Sequence, residues 1–159
     1  MKNKSKQVRI DAVEMLKSDH DKVKELFRNY EAAGDQAYKK KKDIAEKVFG
    51  ELEVHTQLEE QIFYPAMQED AGKKDRKLVA ESIAEHEVVK GLIQELKKLD
   101  PEDEQFDAKF KVLTENVEHH IEEEEDEMFP DAEEELGEEL QRLGAQMKEL
   151  KERLLASIE

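Results

Sequence analysis

The chain has 159 residues, of which 43% are charged and 37% hydrophobic, and its formal net charge is -16. This length suits one domain, and the negative charge argues against nucleic acid and anionic membrane surfaces as partners, because both attract basic patches. Cysteine is absent, which excludes disulfides and thiolate metal sites and leaves imidazole and carboxylate as the strong metal ligands.

The predicted elements begin after residues 1–10, which we expect to form a flexible tail. This tail lacks the apolar core of a signal peptide, and no run of about 18 apolar residues follows, so a cytoplasmic protein is expected. A first helix is predicted from about Asp11 to Ala33, where Asp11 and Glu14 form a capping box. A second helix follows lysines 39–42 and is expected to stop at Pro65.

A third helix is predicted from about Lys74 to Leu99. A fourth follows the helix-start signal Asp100-Pro101 and runs to Phe129, before Pro130. Apolar residues recur at three- and four-residue steps in all four helices, and again over residues 133–158.

These elements predict an all-α fold. Residues 11–130 would form an up-and-down antiparallel four-helix bundle, and residues 131–159 would add a C-terminal amphipathic helix. That helix is expected either to pack on the bundle or to lie at a homodimer interface.

A duplicated pattern is the most informative feature of the sequence. The stretches His55 to Pro65 and His120 to Pro130, offset by 65 residues, both read His-x3-Glu-Glu-x3-aromatic-Pro. The residues around His20 and His86, offset by 66, share acidic-His-acidic-x-Val-Lys-x-Leu. Each repeat therefore pairs a histidine on one helix with His-x3-Glu on the next. Counting from the predicted loops places the four histidines in one layer, roughly 20 Å from either end of the bundle.

The repeated motifs contain a candidate metal site. Residues four apart lie on one helical face, so each His-x3-Glu pair can reach one metal ion or an adjacent pair. A carboxylate can bridge two cations, and nitrogen and oxygen donors without sulfur suit iron. Two roughly octahedral irons joined by an oxo or hydroxo bridge would leave about two of about 12 positions open for exchangeable ligands. The candidate ligands are His20, His55, Glu59, His86, His120 and Glu124.

Other residues of the motifs carry less specific expectations. His119 is expected on the surface or behind a ligand, because it lies about 100° around the helix from its neighbouring histidine. Glu60 and Glu125 are expected to be exposed or to support a ligand. Tyr64 and Phe129 are expected to pack the end of the bundle.

These motifs resemble those of the hemerythrin-like, or HHE cation-binding, domain family over about Asp11 to Pro130. The resemblance implies a non-haem di-iron site with the six ligands named above. Oxygen-carrying members have an additional histidine one turn away on the third helix, where Ser82 and Lys90 flank His86. They also have an aspartate where this chain has Glu124. These departures favour the sensing, detoxifying or redox-active relatives over stable oxygen carriage.

The leading hypothesis is a di-iron protein that binds or senses dioxygen or a related small oxidant. Alternatives are a di-iron enzyme that disproportionates peroxide or reduces nitric oxide, an iron-storage or iron-sensing module, and a metal-free helical interaction domain. The sequence leaves open the enzymatic activity, the redox partner, the oligomeric state, and the choice of iron against manganese or zinc.

Overall fold

The computed structural model describes residues 10–69 and 73–158, and all regular structure in these ranges is helical. Two π-helical turns, Glu59–Phe63 and Glu124–Met128, join successive α-helices into continuous rods. The predicted flexible tail, apart from Ile10, lies outside the described residues. The α-helices in these ranges are α1 (Ala12–Ala32), α2 (Tyr38–Leu58), α3 (Tyr64–Glu69), α4 (Lys73–Lys97), α5 (Glu104–Glu123), α6 (Phe129–Leu136) and α7 (Glu139–Ile158).

The rods form a four-helix bundle with an additional C-terminal helix, which confirms the predicted fold class. α1 packs on α2, α4 packs on α5, and α7 lies against α1 and α2. The apolar side of α7 is covered by this packing, since its inward residues belong to the bundle core; they are Leu140, Leu143, Met147 and Leu150. Within the described part of the chain, the helices are too short or too polar to cross a membrane.

Carboxylate caps set where two of the helices begin. The predicted capping box is present: the N–H of Glu14 donates to Asp11 Oδ1 at 2.9 Å, and the Asp11 N–H donates to Glu14 Oε1 at 3.3 Å. The fourth rod does not start at Pro101 as predicted. Asp103 caps it instead, accepting from the N–H of Gln105 at 2.8 Å, because its side chain satisfies an amide that the first turn leaves free.

The two helices expected to stop at proline continue through it. Proline has no N–H and its ring collides with the carbonyl four residues back. Before Pro65 the helix widens into a π-turn, in which the Tyr64 N–H donates to the Glu59 carbonyl five residues back. Phe129 makes the equivalent bond before Pro130. The wider turn accommodates each ring, so the predicted helix ends were wrong.

Glycine divides the last segment and allows its close packing. The single helix predicted over residues 133–158 is interrupted at Gly137, whose φ of 52° favours glycine. Gly144 then lies where α7 crosses the start of α1. A Cβ at this position would lie 2.6 Å from the carbonyl oxygen of Ile10 and 2.9 Å from the carbonyl carbon of Asp11. The absence of a side chain therefore lets the two helices meet.

A polar layer separates two apolar clusters along the bundle. The cluster on the α7 side includes Leu16, Leu58 and Met147. The other cluster includes Phe27 and Phe110. Because both clusters exclude water, polar groups in the layer between them depend on one another or on a bound ion for partners.

Candidate metal centre

All six predicted ligands meet in this polar layer. All six residues are buried, and their exposed fractions range from 0% for Glu59 to 7% for His55 and His120. α1, α2, α4 and α5 each supply one histidine, and each π-turn begins with one of the glutamates. The imidazole centroids of His20 and His55 lie 5.0 Å apart, and those of His86 and His120 lie 4.9 Å apart.

Glu59 directs one carboxylate oxygen toward each pair of histidines. Its Oε2 lies 3.1 Å from Nε2 of His55. Its Oε1 lies 3.0 Å from Nε2 of His86 and 3.9 Å from Nε2 of His120. A carboxylate with its two oxygens facing different imidazole pairs has the disposition of a bridging ligand.

Glu124 faces Glu59 with the same arrangement. Its Oε1 lies 3.1 Å from Nε2 of His20, and its Oε2 lies 3.3 Å from Nε2 of His120. The layer therefore consists of two half-sites that share two glutamates. We name them the first half-site, containing His20 and His55, and the second half-site, containing His86 and His120.

A carboxylate holds the outer nitrogen of every imidazole. Since a carboxylate accepts hydrogen bonds, each Nδ1 carries a proton, and each Nε2 faces the centre of the layer as the nitrogen that can exchange a proton for a metal ion. This is how proteins orient histidines for metal binding. The partners are Glu125 for His20 at 2.7 Å, Asp19 for His55 at 2.9 Å, Glu60 for His86 at 2.7 Å and Glu85 for His120 at 2.5 Å.

Sequence reasoning missed the roles of Asp19 and Glu85. Glu60 and Glu125 were expected either at the surface or behind a ligand, and they lie behind the imidazoles of His86 and His20. The signal was in the repeat, where an acidic residue precedes the first histidine and follows the glutamate of each copy. Each carboxylate contacts a histidine on another rod, so the pairing emerges only when the helices are packed.

The residues present fit a bound cation. Nε2 of His55 and Oε2 of Glu59 are buried, and neither has a hydrogen-bond partner. Such orphaned atoms cost roughly 1–3 kcal/mol each, which a cation between them would offset. The donor spacing also fits, since adjacent ligands about 2.1 Å from an octahedral ion lie roughly 3 Å apart. Donor atoms of the two half-sites form two groupings that could each hold an ion, and Glu59 belongs to both.

The shifted pKa values of buried histidines and Glu59 show that the layer favours positive charge. Burial lowers the pKa of His55, but the charges of Glu59 and Asp19 outweigh it and raise the pKa to about 10. Burial raises the pKa of Glu59, yet His55 and the other imidazoles hold it well below its usual range. The pKa values of His86 and His120 are raised as well, since neighbouring glutamates outweigh the effect of burial. Without a cation these three imidazoles would carry protons, and a metal ion would take the place of those protons.

Tyr64 lies in the polar layer, not at the bundle end where it was expected. Its hydroxyl donates to Oε2 of Glu124 at 2.5 Å and lies 3.0 Å from Oε1 of Glu59. The same oxygen is 3.4 Å from Nε2 of His86 and 3.5 Å from Nε2 of His120. Burial, followed by the charges of Glu124 and Glu59, raises the pKa of Tyr64, so the phenol remains protonated.

The repeat-related residue of the first half-site is Phe129. Its ring stacks on the imidazole of His20 with the centroids 5.7 Å apart. It has no hydroxyl, so the pseudo-symmetry of the layer is broken at this position. His119 lies outside the layer: it is exposed, as expected, and its Nε2 is 3.1 Å from Oε2 of Glu123.

A small cavity of about 30 Å³ adjoins the four imidazoles. Its other walls are mainly apolar, and they include Val23, Leu52, Val89 and Val117. This volume accommodates one or two water-sized molecules.

Together, the fold and the layer define a cation-binding helical bundle with a buried histidine and glutamate site. The family model described as the hemerythrin HHE cation binding domain matches residues 11–132, and the chain belongs to this family, as the sequence predicted.

The comparisons also give individual proteins to which the chain is similar. The crystal structure of a hemerythrin HHE cation binding domain-containing protein from Mycobacterium kansasii superposes with a TM-score of 0.79 and 26% identity, covering 93% of this chain and 89% of that one. A protein named DNA nickase from Nostoc sp. (strain PCC 7120 / SAG 25.82 / UTEX 2576) is 25% identical over 116 residues, or 73% of this chain. The chain spans 32% of the length of that relative.

Proposed function

We propose that the chain is a non-haem di-iron protein that binds or senses dioxygen or a related small oxidant. One observation carries the proposal: four inward Nε2 atoms, each fixed from behind by a carboxylate, converge on two glutamates that face both half-sites. The ligands would be His20, His55, Glu59, His86, His120 and Glu124. Nitrogen and oxygen donors without sulfur favour iron among redox metals.

The surroundings of the proposed ligands suit a small ligand. Bound iron would supply reversible electron transfer and exchangeable coordination positions. The protein would supply the rest: apolar walls such as Val23 and Val89 keep bulk water out, and the volume of about 30 Å³ excludes organic substrates. The size and polarity of this cavity support a ligand of two heavy atoms.

Two adjacent histidines offer a matched test of the metal site. We expect the purified wild-type chain to contain two irons, measured by elemental analysis. The reduced protein should gain ligand-to-metal charge-transfer absorption when anaerobic solution is exposed to oxygen. His120→Ala should lose metal and absorption, whereas His119→Ala, which alters an exposed imidazole on the same helix, should retain both. A wild-type protein that contains no metal and refuses reconstitution would reject the proposal in favour of a metal-free helical domain.

Tyr64 supports a second candidate, an enzyme that disproportionates peroxide into dioxygen and water. Its buried phenol, held protonated between Glu59 and Glu124, places a proton donor at the second half-site. General acids of this kind typically contribute 10²–10⁴-fold to a rate. Tyr64→Phe should therefore leave the iron content unchanged and lower peroxide turnover by at least about 10-fold. Equal turnover in both proteins, or none in the wild type, would favour binding or sensing.

Two further expectations remain proposals. We infer that the chain works in the cytoplasm and without nucleic acid, the latter supported by a net charge of -16. The relative named DNA nickase does not alter this inference, because the match spans only 32% of that protein.

A further inference from the structure

One carboxylate connects the first half-site to a helix outside the bundle. Oδ2 of Asp19 accepts from Nδ1 of His55 at 2.9 Å. Its other oxygen, Oδ1, accepts from the ammonium of Lys151 at 2.9 Å. Both oxygens are thus engaged, one by a proposed metal ligand and one by α7.

The position of Lys151 makes this contact more than a surface ion pair. Lys151 belongs to α7, beyond residue 132 where the family match ends. Its side chain is 26% exposed, and that of Asp19 is 9% exposed. A buried carboxylate oxygen that loses its donor must rotate, recruit water or remain unpaired, and each response disturbs the second oxygen. The orientation of Asp19 therefore depends on α7.

The second half-site has a different support. Glu85, which occupies the repeat-related position of Asp19, holds His120 at 2.5 Å. Its side chain is 31% exposed, and its other ionisable neighbours are Glu123 and His119. The two halves of the duplication thus place an acidic residue behind a histidine in the same way. The second half-site has its own lysine, since Lys90 of α4 lies 3.5 Å from Oε1 of Glu60 behind His86, whereas the lysine of the first half-site comes from α7.

We propose that Lys151 is a positioning residue, which holds Asp19 and through it His55, so that docking of α7 sets the metal affinity of the first half-site. This inference deepens the proposed function and rests on it. Substitutions behind metal-bound histidines typically cost 10–100-fold in affinity. Because Lys151 acts on His55 only through Asp19, we expect its substitution to have an effect near the lower end of that range.

The test titrates metal-free protein with Co²⁺, whose visible absorption reports nitrogen and oxygen coordination. Wild type should bind two equivalents. Lys151→Met should lower the affinity for one Co²⁺ equivalent by about 10-fold and leave the affinity for the other unchanged. Lys151→Arg should bring the lowered affinity back to within about 3-fold of the wild-type value. Lys148→Met is the matched control, because Lys148 lies on the same helix, is 72% exposed and pairs with Glu152. The unchanged equivalent also verifies that the variant is folded.

A double-mutant cycle traces the effect through Asp19. In an Asp19→Ala background, which removes both side-chain oxygens, Lys151→Met should cause no further loss of Co²⁺ affinity. The inference would be overturned if Lys151→Met left the affinity for both Co²⁺ equivalents unchanged, weakened both equally or tightened one, or if its effect persisted in Asp19→Ala. A wild type that binds no Co²⁺ and no iron would defeat the proposed function itself, which these variant comparisons distinguish from failure of the inference alone.

Discussion

The two half-sites share a frame and differ in what surrounds it. Both consist of two imidazoles whose Nδ1 atoms are held by carboxylates and whose Nε2 atoms face Glu59 and Glu124. The first half-site is covered by the apolar ring of Phe129 and linked to α7. The second has the hydroxyl of Tyr64 and the half-exposed carboxylate of Glu85. Duplication therefore accounts for the six proposed ligands, whereas their neighbours make the two half-sites chemically unequal.

The largest effect should come from Glu59, since it belongs to both half-sites. Glu59→Gln removes the negative charge and one oxygen donor, and we expect both metal equivalents to weaken by at least about 100-fold in a metal titration. Glu53→Gln, on the same helix and paired with exposed Lys97, should bind metal like the wild type. Loss of one equivalent alone would show that Glu59 does not bridge.

Substitutions of Glu60 and Glu125 should each affect metal binding in a different half-site. They are equally exposed, at 28% and 29%, but Glu60 holds His86 and Glu125 holds His20. Each change to glutamine should weaken one metal equivalent by roughly 10–100-fold. The double variant should weaken both equivalents. If Glu60→Gln and Glu125→Gln affected the same equivalent, the division into two half-sites would be wrong.

Gly144 tests the docking of α7, on which the first half-site depends. Gly144→Ala would drive a methyl group into the backbone of Ile10, so the free energy of unfolding should fall by about 1–3 kcal/mol in urea denaturation. Gly91→Ala is the control: its site is open and exposed within α4, and we expect a gain of roughly 0.5–1 kcal/mol. If Gly144→Ala left the free energy of unfolding unchanged, α7 would not approach α1 this closely.

The smallest effect concerns Asp75, which lies outside both half-sites. Burial, followed by hydrogen bonds to Glu135 and Asp131, raises the pKa of Asp75 from 3.8 to about 7. The folded protein holds this proton more tightly than the unfolded chain, so its stabilisation is full below 3.8 and lost as the pH rises through about 7.

Asp75→Asn should therefore raise the melting temperature at about pH 8 by at least roughly 3 °C and raise it clearly less at about pH 5, where a smaller part of the stabilisation has been lost. Metal affinity in both half-sites should remain at the wild-type level. An equal shift at both pH values would indicate a packing effect instead of the loss of a buried charge.

Much of the fold and the layer follows from the sequence because the relevant rules are local. Apolar spacing predicted the rods, and the repeat predicted which histidines and glutamates meet. The support behind the ligands was harder to predict, since Asp19 and Lys151 contact residues on other helices. The predicted helix ends at the prolines were wrong for a related reason. The rule that proline ends an α-helix does not include a π-turn, which accommodates Pro65 within a continuous helix.

The π-turns also determine which side chains can enter the layer. In an uninterrupted α-helix, residues five apart differ by about 140° around the axis. Tyr64 would then point well away from the direction of Glu59, yet its hydroxyl lies 3.0 Å from that carboxylate. The extra residue in the turn unwinds the helix enough to aim both side chains inward. Deleting one residue of the turn, such as Gln61, would leave Tyr64 four residues after Glu59, a spacing that a regular α-helix already places on one face, so the π-turn absorbs an inserted residue without turning either side chain out of the layer.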